Sequence, residues 1–199
     1  MRLRRIAGLM TIMAACSYAD TITITHTGDG SGQVGTTTFT NAAFTIIDIG
    51  NTADRTSLGF GWFIDDTSAS IAISGVGSFN FLTPTRTFVN NTAETVGFSR
   101  GSGYGLDLYD GTADAAFANW DMLSSIGPIS GSASLLQWSF SPVNTDGGVL
   151  VFNDGTSASV FTATVSGSSV PEPSSLLLIV VGLVGIVGLS LRRGTARLN

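Results

Sequence analysis

Lysine is absent from this 199-residue chain, and cysteine and histidine occur once each. A single Cys16 excludes an internal disulfide framework. A lone His26 without cysteine neighbours excludes a zinc site of the usual kind. Charged residues make up only 12% of the chain while glycine occurs 25 times, a balance unlike that of a typical cytosolic enzyme. Six of the nine arginines lie at the two ends: Arg2, Arg4 and Arg5, and Arg192, Arg193 and Arg197. Between residues 20 and 170 only Arg55, Arg86 and Arg100 stand against thirteen of the fourteen acids, a formal charge of −10. Phosphate backbones and anionic membrane surfaces repel such a body, so nucleic acid is excluded as a partner.

What the chain does have is targeting information at its ends. MRLRRIAGLMTIMAACSYA carries a positive start, an apolar stretch from Ile6 to Ala15, and Ser17-Tyr18-Ala19 as a small-x-small cleavage site. This predicts a signal peptide over 1–19, cut after Ala19. A rival reading takes Met13-Ala14-Ala15-Cys16 as a lipoprotein signal with Cys16 as the acylated residue. Under the first reading the exported chain has no cysteine and rests on packing or bound ions for stability.

Leu176 to Leu191 is a run of 16 uncharged residues. At about 1.5 Å per residue it covers about 24 Å, somewhat less than a hydrocarbon core of about 30 Å. Ser174 and Ser175 extend it at one end, and Arg192 and Arg193 snorkel at the other. The spacing predicts a transmembrane helix over 174–191, with Arg192 and Arg193 as a cytoplasmic stop and the acidic body outside. Pro171 and Pro173 keep a helix from starting earlier and leave Glu172 on extended, accessible backbone, which suits a substrate of a membrane-embedded protease or transpeptidase. Val170, Pro171, Glu172 and Pro173, the apolar run and the Arg192-Arg193 stop together resemble the PEP-CTERM protein-sorting signal of Gram-negative bacteria. That resemblance implies an exosortase as partner. It implies export through the inner membrane, anchoring before processing, a cut near the motif, and delivery to the cell surface or the extracellular polysaccharide layer.

The body reads as short strands separated by turns. Thr21 to Thr25 alternates with period two, and further strands are expected at 44–49, 58–64, 70–74, 78–82, 87–89, 106–109, 135–140, 149–152 and 160–165. Gly, Asn, Asp and Ser fill the gaps, and 114–123 is the one helical candidate in the body. The expected fold is all-β: a jelly-roll-like antiparallel β-sandwich over 20–165, a linker at 166–170 and the sorting signal at 171–199.

Chemistry is sparse in this body. Gly97-Phe98-Ser99-Arg100-Gly101 fits a nucleophile-elbow pattern but lacks a histidine downstream of the serine. His26 shares parity with Ile22 and Ile24 and is expected on the inner face of the first strand. Asp107, Asp110 and Asp114 around Gly111 are oxygen ligands of the kind calcium takes, and solvated turn aspartates are the plainer reading. Tyr104, Tyr109 and Trp120 are candidates for stacking on sugar rings, with core packing as the alternative. Trp62 is expected in the core. No pair of acids marks a glycoside-hydrolase cleft. The reading is a non-enzymatic structural or adhesive surface protein of the exopolysaccharide layer; the alternative is a carbohydrate-binding module assisted by calcium.

Overall fold

Thr21-Ile22-Thr23-Ile24-Thr25-His26-Thr27 alternates threonine with larger side chains, which puts Ile22, Ile24 and His26 on one face of a strand and the threonines on the other. In the computed structural model, which describes residues 20–101 and 107–167, this segment opens β1 (Thr21–Val34). Ile22, Ile24 and His26 are buried, as the alternation predicts. β2 (Thr37–Asn51) runs back antiparallel along nearly all of β1 after a turn at Gly35, where φ is +56°. The expected signal peptide over 1–19 with Ala19, the candidate Tyr104, linker residues 168–170, the sorting residues 170–173, the 174–191 helix and Arg192 and Arg193 all lie outside the described residues. The chain divides between Gly167 and Ser168 into two units, and the described domain belongs to the first. Among the described residues no helix is long and apolar enough to cross a membrane.

The remaining strands are β3 (Thr56–Ser57), β4 (Gly61–Asp65), β5 (Ser68–Ile73), β6 (Gly77–Asn80), β7 (Thr85–Asn90), β8 (Thr95–Arg100), β9 (Asp107–Ala113), β10 (Ile126–Leu135), β11 (Val143–Thr145), β12 (Gly148–Phe152) and β13 (Gly155–Ser166). The body is all-β, with 67% of the described residues in strands. Every pairing is antiparallel, and the strands follow one path, β3-β4-β7-β8-β9-β10-β13-β1-β2-β5-β6, with β12 attached to β1 and β11 to β12. The expected all-β antiparallel fold is present, and its strands form a single curled sheet in place of the expected jelly-roll-like arrangement. β10 pairs with β9 on one side and β13 on the other, which makes the two halves one continuous, curled sheet.

Several contacts show the halves facing each other. Tyr109 on β9 donates its hydroxyl to the Thr27 carbonyl of β1 at 2.8 Å. Thr87 on β7 donates to Asp48 Oδ2 on β2 at 3.0 Å. A Cβ at Gly50 on β2 would lie 2.5 Å from Ile64 Cγ2 of β4, so glycine is what lets these strands approach. Two apolar clusters fill the interior. One gathers Trp138, Tyr109, Phe44, Phe98 and Phe152; the other gathers Phe161, Trp120, Phe117, Ile24 and Ile64. The helical candidate at 114–123 is reduced to a 3-10 segment, Ala115–Asn119, capped by Asp114, whose side chain accepts from the Ala116 N–H at 2.8 Å. The expected strand at 135–140 ends at Leu135, and Trp138 turns inward and donates its Nε1–H to the Leu108 carbonyl at 2.7 Å. β8 and β10, rich in Gly and Ser, were not expected as strands.

Between the clusters lies a polar group that β2 carries inward. Phe44, Ile46 and Asp48 share the buried parity, while Ile47 and Ile49 are exposed. His26 Nε2 stands 3.7 Å from Asp48 Oδ2, beyond hydrogen-bond range. Burial pushes His26 down to about 3 and pushes Asp48 well up, aided by the Asp66 charge, so the two are neutral neighbours rather than an ion pair. Burial, with the nearby Asp65, likewise pushes Asp66 up to about 7 against its hydrogen bond from Thr85.

These shifts oppose one another in their effect on stability. The fold holds the Asp66 proton more tightly than an ordinary carboxyl of 3.8, so that contribution is complete below about pH 4 and is lost as the pH rises through about 7. His26, held neutral down to about 3 against an ordinary 6.5, contributes above pH 6.5 and is lost as the pH falls toward 3. Asp66→Asn removes the first effect and leaves the second. The melting temperature of Asp66→Asn relative to wild type is therefore expected to climb between about pH 4 and 7 and level off above; a constant difference would mean that the folded domain does not hold this proton.

Candidate functional site

Alternation along β7 turns Thr85, Thr87 and Val89 inward and Arg86, Phe88 and Asn90 outward. On the neighbouring β8, Val96 and Phe98 point inward while Thr95, Gly97 and Ser99 point outward. The register sets Phe63 of β4 against Phe88, Phe88 against Gly97, and Arg86 against Ser99. β9 completes the row through an irregularity: Phe98 pairs with Tyr109 but Ser99 pairs with Asp107, so Leu108 is an extra residue. That bulge reverses the parity of the strand. It brings Asp107 to the same outward face as Asp110, which lies opposite Gly97.

The outcome is a groove of about 550 Å³ on the outer face of β4, β7, β8 and β9, away from both core clusters. Leu58 and Phe60 stand at one side, and Phe60 is 49% exposed. The Arg86 guanidinium lies over the Phe63 ring at 4.2 Å and bonds Asp65 Oδ1 at 3.0 Å, so its charge is compensated. Asp107 and Asp110 form the far wall. Burial pushes both carboxyls up, and the Asp110 charge adds to the rise at Asp107. Asp110 Oδ1 is buried and has no hydrogen-bond partner among the described residues. Gly97 lies under the Phe88 ring, since a Cβ there would collide with that ring and come within 2.8 Å of the Tyr109 carbonyl.

The candidate residues of the sequence fare unevenly. Asp107 and Asp110 meet, but Asp114 is spent on capping the 3-10 segment, and among the described residues no group of three His, Cys, Asp or Glu could hold a metal ion. The expected calcium trio is thus not assembled. Tyr109 and Trp120 are corrected as sugar-stacking residues: Tyr109 is fully buried against Phe44 and His26, and Trp120 is packed on Phe161 with its Nε1–H given to the Ser124 carbonyl. Trp62 packs on the second core cluster and takes the Arg55 guanidinium at 3.9 Å on its ring. Ser99 is a strand residue paired with Arg86 and Asp107, which is not the strand-to-helix turn an elbow nucleophile needs. Phe60, Phe63, Phe88 and Arg86 are not legible as a set because they come from separate segments: Phe60 from the turn before β4, Phe63 from β4, and Arg86 and Phe88 from β7. Their one signal is the i, i+2 spacing of Arg86, Phe88 and Asn90.

The part of the chain whose role is fixed follows the last strand. β13 ends at Ser166, and residues 169–193 match the family described as the PEP-CTERM protein-sorting motif. The chain carries a PEP-CTERM sorting motif. The match contains Val170, Pro171, Glu172, Pro173, Arg192 and Arg193. It makes this an exported protein sorted by an exosortase to the cell surface or beyond. No curated protein and no solved structure matches the chain.

Gly97→Ala is expected to cost about 1–3 kcal/mol, because the added methyl must displace the Phe88 ring and meets fixed Tyr109 backbone. Urea unfolding of the variant against wild type measures it, and an unchanged midpoint would show that the Phe88 ring does not lie over Gly97.

Proposed function

We propose that the β domain is a structural or adhesive component of the exopolysaccharide layer, without catalysis of its own, held in the inner membrane by residues 174–191 until an exosortase releases it. The observation that carries this reading is the PEP-CTERM motif beginning at residue 169, directly after the folded domain ends. In this reading Pro171, Glu172 and Pro173 present the extended substrate, and Arg192 and Arg193 hold the far end of the helix in the cytoplasm. The domain itself supports a passive role. Its one histidine is sealed between Tyr109, Phe98 and Phe161, its Ser99 sits in a strand, and the two acids of the groove, Asp107 and Asp110, lie on one strand rather than across it from each other.

Expression of the full chain with and without an exosortase tests the sorting step through the intact mass of the surface or released form. Loss of everything beyond Pro-Glu-Pro is expected only when the enzyme is present, and a Pro171→Ala, Pro173→Ala double variant is expected to stay unprocessed. A tail ending at Asn199 in both hosts would reduce the segment to an ordinary anchor. The adhesive role is tested by fractionating the producer's exopolysaccharide: processed protein is expected in the polymer fraction, and recovery entirely in the free supernatant would defeat it.

A further inference from the structure

We propose that the outer-face groove between Phe60 and Asp110 is a binding site for a neutral polysaccharide chain. This inference deepens the adhesive reading above and rests on it for the biological source of the glycan. At about 550 Å³ the groove is the size of a site for an organic ligand of several rings, far larger than an ion requires. Its position on the outward face means that neither core cluster accounts for the rings gathered there.

The chemistry divides in the way a sugar chain demands. A pyranose ring has an apolar C–H face and a polar edge of hydroxyls, each of which both donates and accepts. Phe60 and Phe88 supply ring surface for the apolar face, while the Phe63 face is already taken by Arg86. Across from them stand Asp107 and Asp110, whose carboxyl groups can accept hydrogen bonds from ligand hydroxyls. Ser99 and Asn90 add to the polar wall. Asn90 Oδ1 accepts from the Ala93 N–H at 2.9 Å, which fixes the amide so that its N–H₂ is available as a donor.

Charge narrows the ligand further. Among the described residues Arg86 is the one cation lining the groove, and it is paired with Asp65, so the carboxyls leave no positive excess to attract phosphate, sulfate or uronate groups. A protonated amine is the other ligand that two carboxyls would draw. The ring surfaces at the Phe60 side and the mixture of donors and acceptors favour the neutral polyhydroxyl chain.

The test uses the full-length protein on a glycan array of neutral, uronate-containing and amino-sugar oligosaccharides, followed by calorimetry with the best neutral binder. At least one neutral glycan is expected to bind saturably, and Phe60→Ala and Asp110→Asn are each expected to weaken it by about tenfold or more. Phe60 is half exposed, so its variant should keep the wild-type melting temperature, which separates lost binding from lost folding. Three results would overturn the proposal: no saturable neutral glycan, preference for an amino-sugar or uronate chain, or full binding by both variants. Fractionation of the processed protein distinguishes the two readings. Retention in the exopolysaccharide without neutral-glycan binding sinks the groove and leaves the adhesive role, whereas glycan binding without retention does the reverse.

Discussion

Asp48 sets the terms on which the sheet curls. Its carboxyl has no exposed surface and sits on the inner face of β2, in line with Phe44 and Ile46. Ionised in such a place it would cost several kcal/mol, so burial raises its pKa and it keeps its proton. A neutral carboxyl still needs partners, and the Thr87 hydroxyl that supplies one belongs to β7, in the opposite half of the sheet. The bond exists only when β7 lies over β2. Apolar packing rewards any close approach, but this contact is directional, and it fixes which strands face each other. Gly50 beside Ile64 and Tyr109 reaching Thr27 follow from the same alignment.

Period-two alternation made β1 legible, along with the inward parity of His26, because every second residue from Thr21 to Thr27 is threonine. The same rule could not resolve β2. Thr45, Ile47 and Ile49 compete with Phe44, Ile46 and Asp48 for the inner face, and the winning set includes an acid while the losing one exposes two isoleucines. Tertiary context decided the matter, since Phe44 contacts both Tyr109 and Phe152. β8 and β10 were hidden for another reason. Gly97 in β8 is needed for a ring to lie over it, and β10 spends its glycines and serines on register shifts and exposed positions, so both look like turn sequence.

The sorting motif was legible because its parts are contiguous: a short peptide, an apolar run and two arginines need no tertiary structure to be read. The groove was not, because it exists only after four strands pair and one of them bulges. Were β9 a regular strand through Leu108, Asp107 and Asp110, three residues apart, would point to opposite faces. Tyr109 and Trp120 drew attention as large aromatics, yet a curled sheet of this size needs such rings inside, and it leaves Phe60 at the surface instead.

The formal charge of −10 assumes that every carboxyl between residues 20 and 170 is ionised. Burial works against that assumption at Asp48 and Asp66, so the folded body carries less negative charge near neutrality than its composition indicates. Long-range repulsion from acidic polymers is correspondingly weaker, but nothing in the groove supplies long-range attraction either, since Arg86 is matched by Asp65. Binding there must come from ring stacking and hydrogen bonds, which act at contact distance and respond little to salt. Such contacts do not steer a partner through solution. A protein sorted to the cell surface has less need of steering, because its export already sets where it meets the polymer, and many weak contacts in a confined layer add up through high effective concentration.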